Sequence, residues 1–314
     1  MKVVVTGGAG FIGSHLVDRL IVEGYEVIVL DNLSTGKIEN VQHHLNNQKF
    51  NLVRGDVQNS RDVNKAIKDA DIVFHLAAFV NVPLSIENPM LANNVNMRGT
   101  LNLLQASLKK NIARFIYVST CAVYGEACYL PISEEHPTAP LSPYGVSKLA
   151  AEQYCKVFNR IFGLKTVCLR YFNVYGPRQF KGPYSAVITH YIDRLRENEP
   201  PIIYGNGEQT RDFLYVEDAV EACMLSLSSE NCVGEVINIG TGIKTTINEL
   251  ANLLIKLMKK AHIAPIYAAP RKEDIKHSYA NISNAQKMLG YKPKVTLKKG
   301  LKRLLNEDKC RQPF

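Results

Sequence analysis

Three features of the chain predict a doubly wound α/β fold. Short apolar runs without a helical period alternate with amphipathic stretches. The first run, Lys2-Val3-Val4-Val5-Thr6, passes straight into Gly7-Gly8-Ala9-Gly10-Phe11-Ile12-Gly13. The alternation then repeats along the N-terminal half. Continuous apolar strands joined by helices require a parallel sheet covered on both faces, with its ligand crevice at the strand carboxyl ends. The expected class is a Rossmann-type doubly wound parallel sheet with a smaller, sequence-discontinuous C-terminal α/β part.

Taken in order, Gly7, Gly10 and Gly13 permit a tight turn, close approach to a pyrophosphate, and packing of a helix from about Ser14 to Glu23. A strand from Glu26 to Leu30 ends at Asp31. An acid there can accept from both adenosine ribose hydroxyls and repels a 2′-phosphate, favouring NAD over NADP; capping the next turn is its alternative role. Phe50 to Val53 is a strand leading to Asp56 and Val57, where Asp56 can meet the adenine amino group. Asp62 to Lys68 reads as helix. Asp71 to Ala78 is a strand whose small end, Leu76, Ala77 and Ala78, suits a backbone passing close to a cofactor. His75 is read as a satisfied core residue. Asn93 to Lys110 is a long helix, with Leu101, Leu104 and Leu108 on one stripe. Arg114 to Val118 is a strand, and Thr120 beyond it points into the crevice.

After a proline-rich loop, Ser142-Pro143-Tyr144-Gly145-Val146-Ser147-Lys148 opens a helix. Tyr144 and Lys148 share one helical face, where the ammonium is expected to lower the phenol's pKa. Alone the spacing is weak, because a surface Lys near a half-buried Tyr is common. The same helix carries Leu149, Tyr154, Val157, Phe158 and Ile161. That apolar surface exceeds what one sheet face needs, so a homodimer through a four-helix bundle with the preceding long helix is expected.

The strand around Thr166 to Leu169 leads out at Asn173. Val187 to Arg196 reads as helix and Pro201 to Tyr204 as a short strand. Arg211 to Leu227 is expected to return a strand and helix to the main sheet, followed there by a strand at Glu235 to Gly240. Thr246 and Glu249 form a capping box for a helix to Lys259. The expected division is 1–174 plus about 212–241 for the NAD-binding domain, and about 175–211 plus 242–314 for the substrate domain.

Of 314 residues, 46% are hydrophobic and 21% charged, as in a soluble enzyme. No run approaches the ~18–20 apolar residues that span a bilayer, and the N-terminus lacks a signal pattern. A cytoplasmic location without membrane association is expected. Seven cysteines without a Cys-x-x-Cys imply free thiols and no metal site. The net charge of +9 gathers near the C-terminus and reads as a solvated basic surface, without a nucleic-acid partner.

Gly7-x-x-Gly10-x-x-Gly13, Asp31, Ser119-Thr120 and Tyr144-x-x-x-Lys148 together resemble the extended short-chain dehydrogenase/reductase superfamily, over nearly the whole chain. Arg170 to Gly176 and Gln209 to Phe213 resemble its nucleotide-sugar branch, most closely the UDP-glucose 4-epimerase group. The resemblance implies Thr120, Tyr144 and Lys148 as a catalytic trio. It places Phe11, Ile12, Asp31, Asn32, Ser34, Thr35, Gly36, Asp56, Val57, Leu76 to Ala78, Asn93 and Phe172 along a tightly bound NAD. It implies that Asn173, Tyr204, Arg211, Arg271 and Asp274 hold a UDP-sugar, with Arg178 as a weaker phosphate candidate. Guanidinium forks suit a diphosphate.

Related dehydratases carry Asp-Glu after the Thr, where this chain has Cys121 and Ala122; related decarboxylases use a Glu in place of Ala122. Epimerisation needs only the trio and NAD. Ser278, four residues after Asp274, stands where the group gates the pocket beside sugar C2, and its small size is expected to admit an N-acetyl group. The alternatives are another nucleotide-sugar enzyme of the superfamily (a UDP-glucuronate epimerase or decarboxylase, or a sugar reductase) and a non-catalytic cofactor sensor. The sensor is disfavoured because Tyr144 and Lys148 are both present.

Overall fold

The computed structural model describes residues 1–179, 186–270 and 274–310. Its first strand, β1 (Lys2–Thr6), is the apolar run before the glycines, and Val3, Val4 and Val5 are fully buried. Helix α1 (Phe11–Val22) starts earlier than expected, because Gly10 serves as its N-cap. There follow β2 (Glu26–Asp31), β3 (Phe50–Arg54), α2 (Ser60–Ile67) and β4 (Ile72–His75). Two short helices, α3 (Val82–Glu87) and α4 (Pro89–Asn93), each have an Asn cap and a Pro in the first turn. The long helix expected from Asn93 is interrupted by a π turn over Asn94–Arg98, and α5 (Gly99–Lys109) resumes it. β5 (Arg114–Thr120) precedes α6 (Pro143–Phe162), which Ser142 caps and Gly163 ends at φ 73°.

Among the described residues seven strands form one parallel sheet, in the order β11-β6-β5-β4-β1-β2-β3. Here β6 is Thr166–Tyr171 and β11 is Val236–Ile239. The order reverses between β1 and β4, so the glycine loop and the loop after His75 diverge there and open a crevice. Alternate residues fill the two faces: Val3, Val5 and Val29 pack on one side, Val4, Leu30 and Val73 on the other. Each such fully buried side chain contributes roughly 1.5–3 kcal/mol.

Beyond β6 come β7 (Asn173–Tyr175), α7 (Val187–Arg196), β8 (Ile202–Tyr204), β9 (Thr210–Arg211), β10 (Phe213–Tyr215) and α8 (Val216–Ser228). The expectation that the strand after Arg211 rejoins the main sheet is corrected. β10 pairs in parallel with β7, because β11 already occupies the free edge of β6. Only α8 returns, beside α1. After β11, β12 (Thr245–Thr246) leads into α9 (Ile247–Leu257), whose capping box is formed as expected. β13 (Ile266–Ala268), α10 (Ser283–Leu289) and α11 (Leu297–Cys310) complete the chain. A separate core of Tyr191, Phe213, Leu250 and Leu301 joins α7, β10, α9 and α11. No helix of the described residues is long and apolar enough to cross a membrane.

Candidate active site

The glycine loop is dictated by contacts that no side chain would survive. Gly7 has φ 69°, and a Cβ on it would lie 2.8 Å from the Ala77 nitrogen; one on Gly13 would lie 2.1 Å from the Gly7 oxygen. No side chain caps α1, so its first N–H groups face the crevice as an anion site. Asp31 lies at the end of β2, where its carboxylate accepts from Ala9 N–H at 2.9 Å and from Leu33 N–H at 2.8 Å. It therefore does cap the turn, and a Cβ on Gly36 would come 2.9 Å from both its oxygens. Asn32 donates to Asp56 at 2.8 Å and accepts from the Ser34 N–H, which draws the loops after β2 and β3 together; Thr35 is exposed beside them. Val57 is buried against Gly99. Leu76, Ala77 and Ala78 are half-buried at the end of β4, and the ring of Phe11 lies close to Gly176. A glycine-walled cradle, an uncapped helix terminus and an acid at the second strand end fit NAD.

The remaining two residues assigned to the cofactor lie at the end of α4 and just after β6. Asn93 is the last residue of α4, half-buried. Phe172 is buried in a small core with Val123, Tyr124 and Ile132.

Thr120 ends β5, and its hydroxyl interacts with the Tyr144 phenol. The first turn of α6 is braced on both sides of Tyr144: its N–H donates to Ser85 Oγ at 3.2 Å, and its carbonyl accepts from Ser147 Oγ at 2.8 Å. Lys148 is buried, donates from Nζ to the Val118 carbonyl at 2.6 Å, and stands 4.2 Å from the Tyr117 ring centroid. Burial lowers its pKa to about 7. Burial also pushes the Tyr144 phenol up to about 12, against the lowering effect of Thr120. The expected lowering of the phenol by Lys148 is thus corrected for the protein alone: burial outweighs it, and the Lys148 Nζ is held by the Val118 carbonyl.

Sequence reasoning passed over the groups that brace this trio. Asn96, in the π turn, donates to Ser147 Oγ at 2.9 Å and to Phe79 O at 3.0 Å, and accepts from Phe79 N–H at 2.7 Å. Glu152, one turn after Lys148, is fully buried in a two-pronged pair with Arg170 at 2.5 and 2.9 Å and accepts from Ser119 at 2.9 Å. Arg170 also donates to Tyr124, which donates to Asn238. The available signal was an Arg within an otherwise apolar strand, which demands a buried partner.

On the substrate side, Arg211 pairs with Asp274 at 2.5 Å. Asn173 Oδ1 is buried and has no hydrogen-bond partner among the described residues, so an acceptor is left for a ligand. Ser278 is buried beside the Cys121 thiol, whose pKa burial raises to about 11. Tyr204 ends β8, in register with Ala268 of β13. Arg271 lies outside the described residues. Arg178 turns to Asp18 at 2.8 Å, beside His43 and His44. Asp212, which the sequence did not single out, is fully buried and accepts from Thr241, Gly242 and Ala280. It ties the strand of Arg211 to the segment bearing Ser278. The described cysteines are free.

A parallel-sheet crevice with a glycine-loop helix and Thr, Tyr and Lys at its mouth defines an NAD-dependent enzyme of the extended short-chain dehydrogenase/reductase superfamily. The chain belongs to the NAD dependent epimerase/dehydratase family, whose model matches residues 3–240. It is 44% identical over 307 residues to a putative UDP-glucose 4-epimerase of Methanocaldococcus jannaschii, covering 97% of each chain. It is similar to UDP-glucose 4-epimerase of Thermotoga maritima solved with UDP-glucose, at 39% identity and a TM-score of 0.93, covering 99% of both. It is also similar to UDP-N-acetylglucosamine 4-epimerase of Methanobrevibacter ruminantium M1 in complex with UDP-N-acetylmuramic acid, at 40% identity and a TM-score of 0.92, again over 99% of both.

Proposed function

We propose that this protein is a UDP-sugar 4-epimerase. One observation carries the reading: Tyr144 and Thr120 meet in the crevice, while the two following positions hold the Cys121 thiol and Ala122, which supply no carboxyl group for dehydration or decarboxylation. NAD, held by the glycine loop and Asp31, would supply a reversible hydride acceptor and a positive charge that favours the Tyr144 phenolate. Tyr144 acts as the phenolate, its own proton having passed to solvent on ligand binding; it takes the proton from the sugar 4-oxygen and returns it after the sugar has turned over. Thr120 hydrogen-bonds that oxygen. Arg211 anchors the diphosphate, joined by Arg271, and Asp274 accepts from the ribose hydroxyls. Asn173 Oδ1 accepts from the ligand.

The substrate range includes UDP-glucose and UDP-galactose and extends to UDP-GlcNAc and UDP-GalNAc, because Ser278 keeps the pocket beside Cys121 small-walled. The 175–211 and 242–314 segments form the nucleotide-sugar domain. The protein acts in the cytoplasm as a homodimer. Supporting the dimer, Val146, Tyr154, Val157 and Ile161 form one exposed apolar stripe on α6, and Ile86 and Met90 are exposed on α3 and α4. The bundle pairs α6 and α5 of one protomer with those of its partner; Leu104 of α5 is fully buried in its own core, while Leu101 and Leu108 are half-buried. Incubation with a panel of UDP-sugars, with each product identified, tests the substrate range. Inversion at C4 supports the reading, and water loss or decarboxylation contradicts it.

A further inference from the structure

His75 has no part in the chemistry above, yet it is almost fully buried at the end of β4 with both ring nitrogens occupied. The proton directions follow from the partners. Thr100 Oγ1 donates its only proton to the Asn96 carbonyl at 2.5 Å. It can therefore only accept from His75 Nε2, 2.8 Å away, which places the imidazole proton on Nε2. Nδ1 is then an acceptor and takes the hydroxyl proton of Thr6 at 2.7 Å. Thr6 Oγ1 in turn accepts from Ala77 N–H at 3.1 Å. The chain continues through the Asn96 side chain to Phe79 and Ser147, and from Ser147 to the Tyr144 carbonyl.

We propose that His75 is a positioning residue. As a neutral Nε2–H imidazole it locks the strand before the glycine loop, the loop after β4 and the π turn into one arrangement, which sets the cofactor cradle against Tyr144. A doubly protonated ring would turn a proton towards Thr6, whose hydroxyl would then lose Nδ1 as the acceptor of its own proton. Burial holds the imidazole well below its usual range, and nearby Lys148 lowers it further. The rings of Phe115 and Tyr117 wall it in, with centroids at 6.1 and 5.6 Å. The kinetic part of this inference rests on the epimerase reading; the cofactor part does not.

The test compares the purified holoenzyme with His75→Phe, His75→Gln, Thr6→Val and the His75→Phe/Thr6→Val double variant. NAD retained after gel filtration, kcat and KM for UDP-galactose, and Tm are measured. His75→Phe is expected to lose at least half of its NAD and to drop kcat by about 10–100-fold, with KM within about twofold. His75→Gln, which can still donate to Thr100 and accept from Thr6, is expected to recover kcat to within about threefold. The double variant is expected to match His75→Phe, because both changes cut one chain. Wild-type NAD retention and kcat in His75→Phe would overturn the proposal, as would a Gln variant no better than Phe or multiplicative effects in the double variant. Should His75→Phe not fold, Thr6→Val decides: NAD loss with a fall in kcat supports the proposal, and wild-type values refute it. A wild-type protein without epimerase activity would sink the functional reading and leave the NAD comparison intact.

Discussion

Lys148 Nζ donates to the Val118 carbonyl oxygen at 2.6 Å, so the ammonium that shares a helical face with Tyr144 is anchored to the strand behind it. Its folded pKa of about 7 lies below the ordinary 10.5. Below pH 7 both folded and unfolded chains carry the charge, and the folded state bears the full cost of burying it. Between pH 7 and 10.5 the unfolded chain binds more protons, so stability rises with pH; above that range the cost is gone. Lys148→Met should therefore be more stable than wild type by about 1–3 kcal/mol at pH 6, after allowing for the unpaired Val118 carbonyl. The advantage should shrink towards pH 10. Urea melts at several pH values check this, and a variant less stable at pH 6 would refute it.

Tyr144→Phe removes the acid–base hydroxyl and leaves the backbone bonds to Ser85 and Ser147 in place. Turnover should fall by roughly 10²–10⁴, with an unchanged circular dichroism spectrum. A variant retaining more than half the wild-type kcat would remove Tyr144 from the chemistry.

Glu152→Gln strips the charge that faces Arg170 in the buried pair. An uncompensated buried guanidinium costs about 3–5 kcal/mol. A clear fall in Tm is expected, together with lower kcat, because Glu152 also holds Ser119 beside Thr120. An unchanged Tm would show that the pair carries little of the stability.

Ser278→Tyr places a ring in the buried space beside Cys121. Its kcat/KM for UDP-GlcNAc, relative to UDP-glucose, should fall at least about tenfold through steric exclusion. An unchanged ratio would mean that Ser278 does not gate the pocket.

The parts legible in the sequence were those fixed by local chemistry. Gly7 and Gly13 sit where a Cβ would strike backbone, Asp31 closes a strand, and Thr246 with Glu249 forms its box within four residues. Long-range pairing was less legible. β10 chose β7 over the main sheet because β11 had filled the edge, a competition that no local pattern records. The Tyr144–Lys148 spacing placed both residues on one face, but it could not show that Val118, thirty residues earlier, captures the ammonium. The Glu152–Arg170 pair and the Asn96 clamp likewise join residues far apart in the chain.

The central claim is tested most directly by supplying the purified protein with UDP-galactose and no added NAD. Formation of UDP-glucose, approaching the same equilibrium from either sugar and without net NADH, is the expected result. Absence of C4 inversion with every UDP-sugar offered, in protein shown to contain NAD, would contradict it.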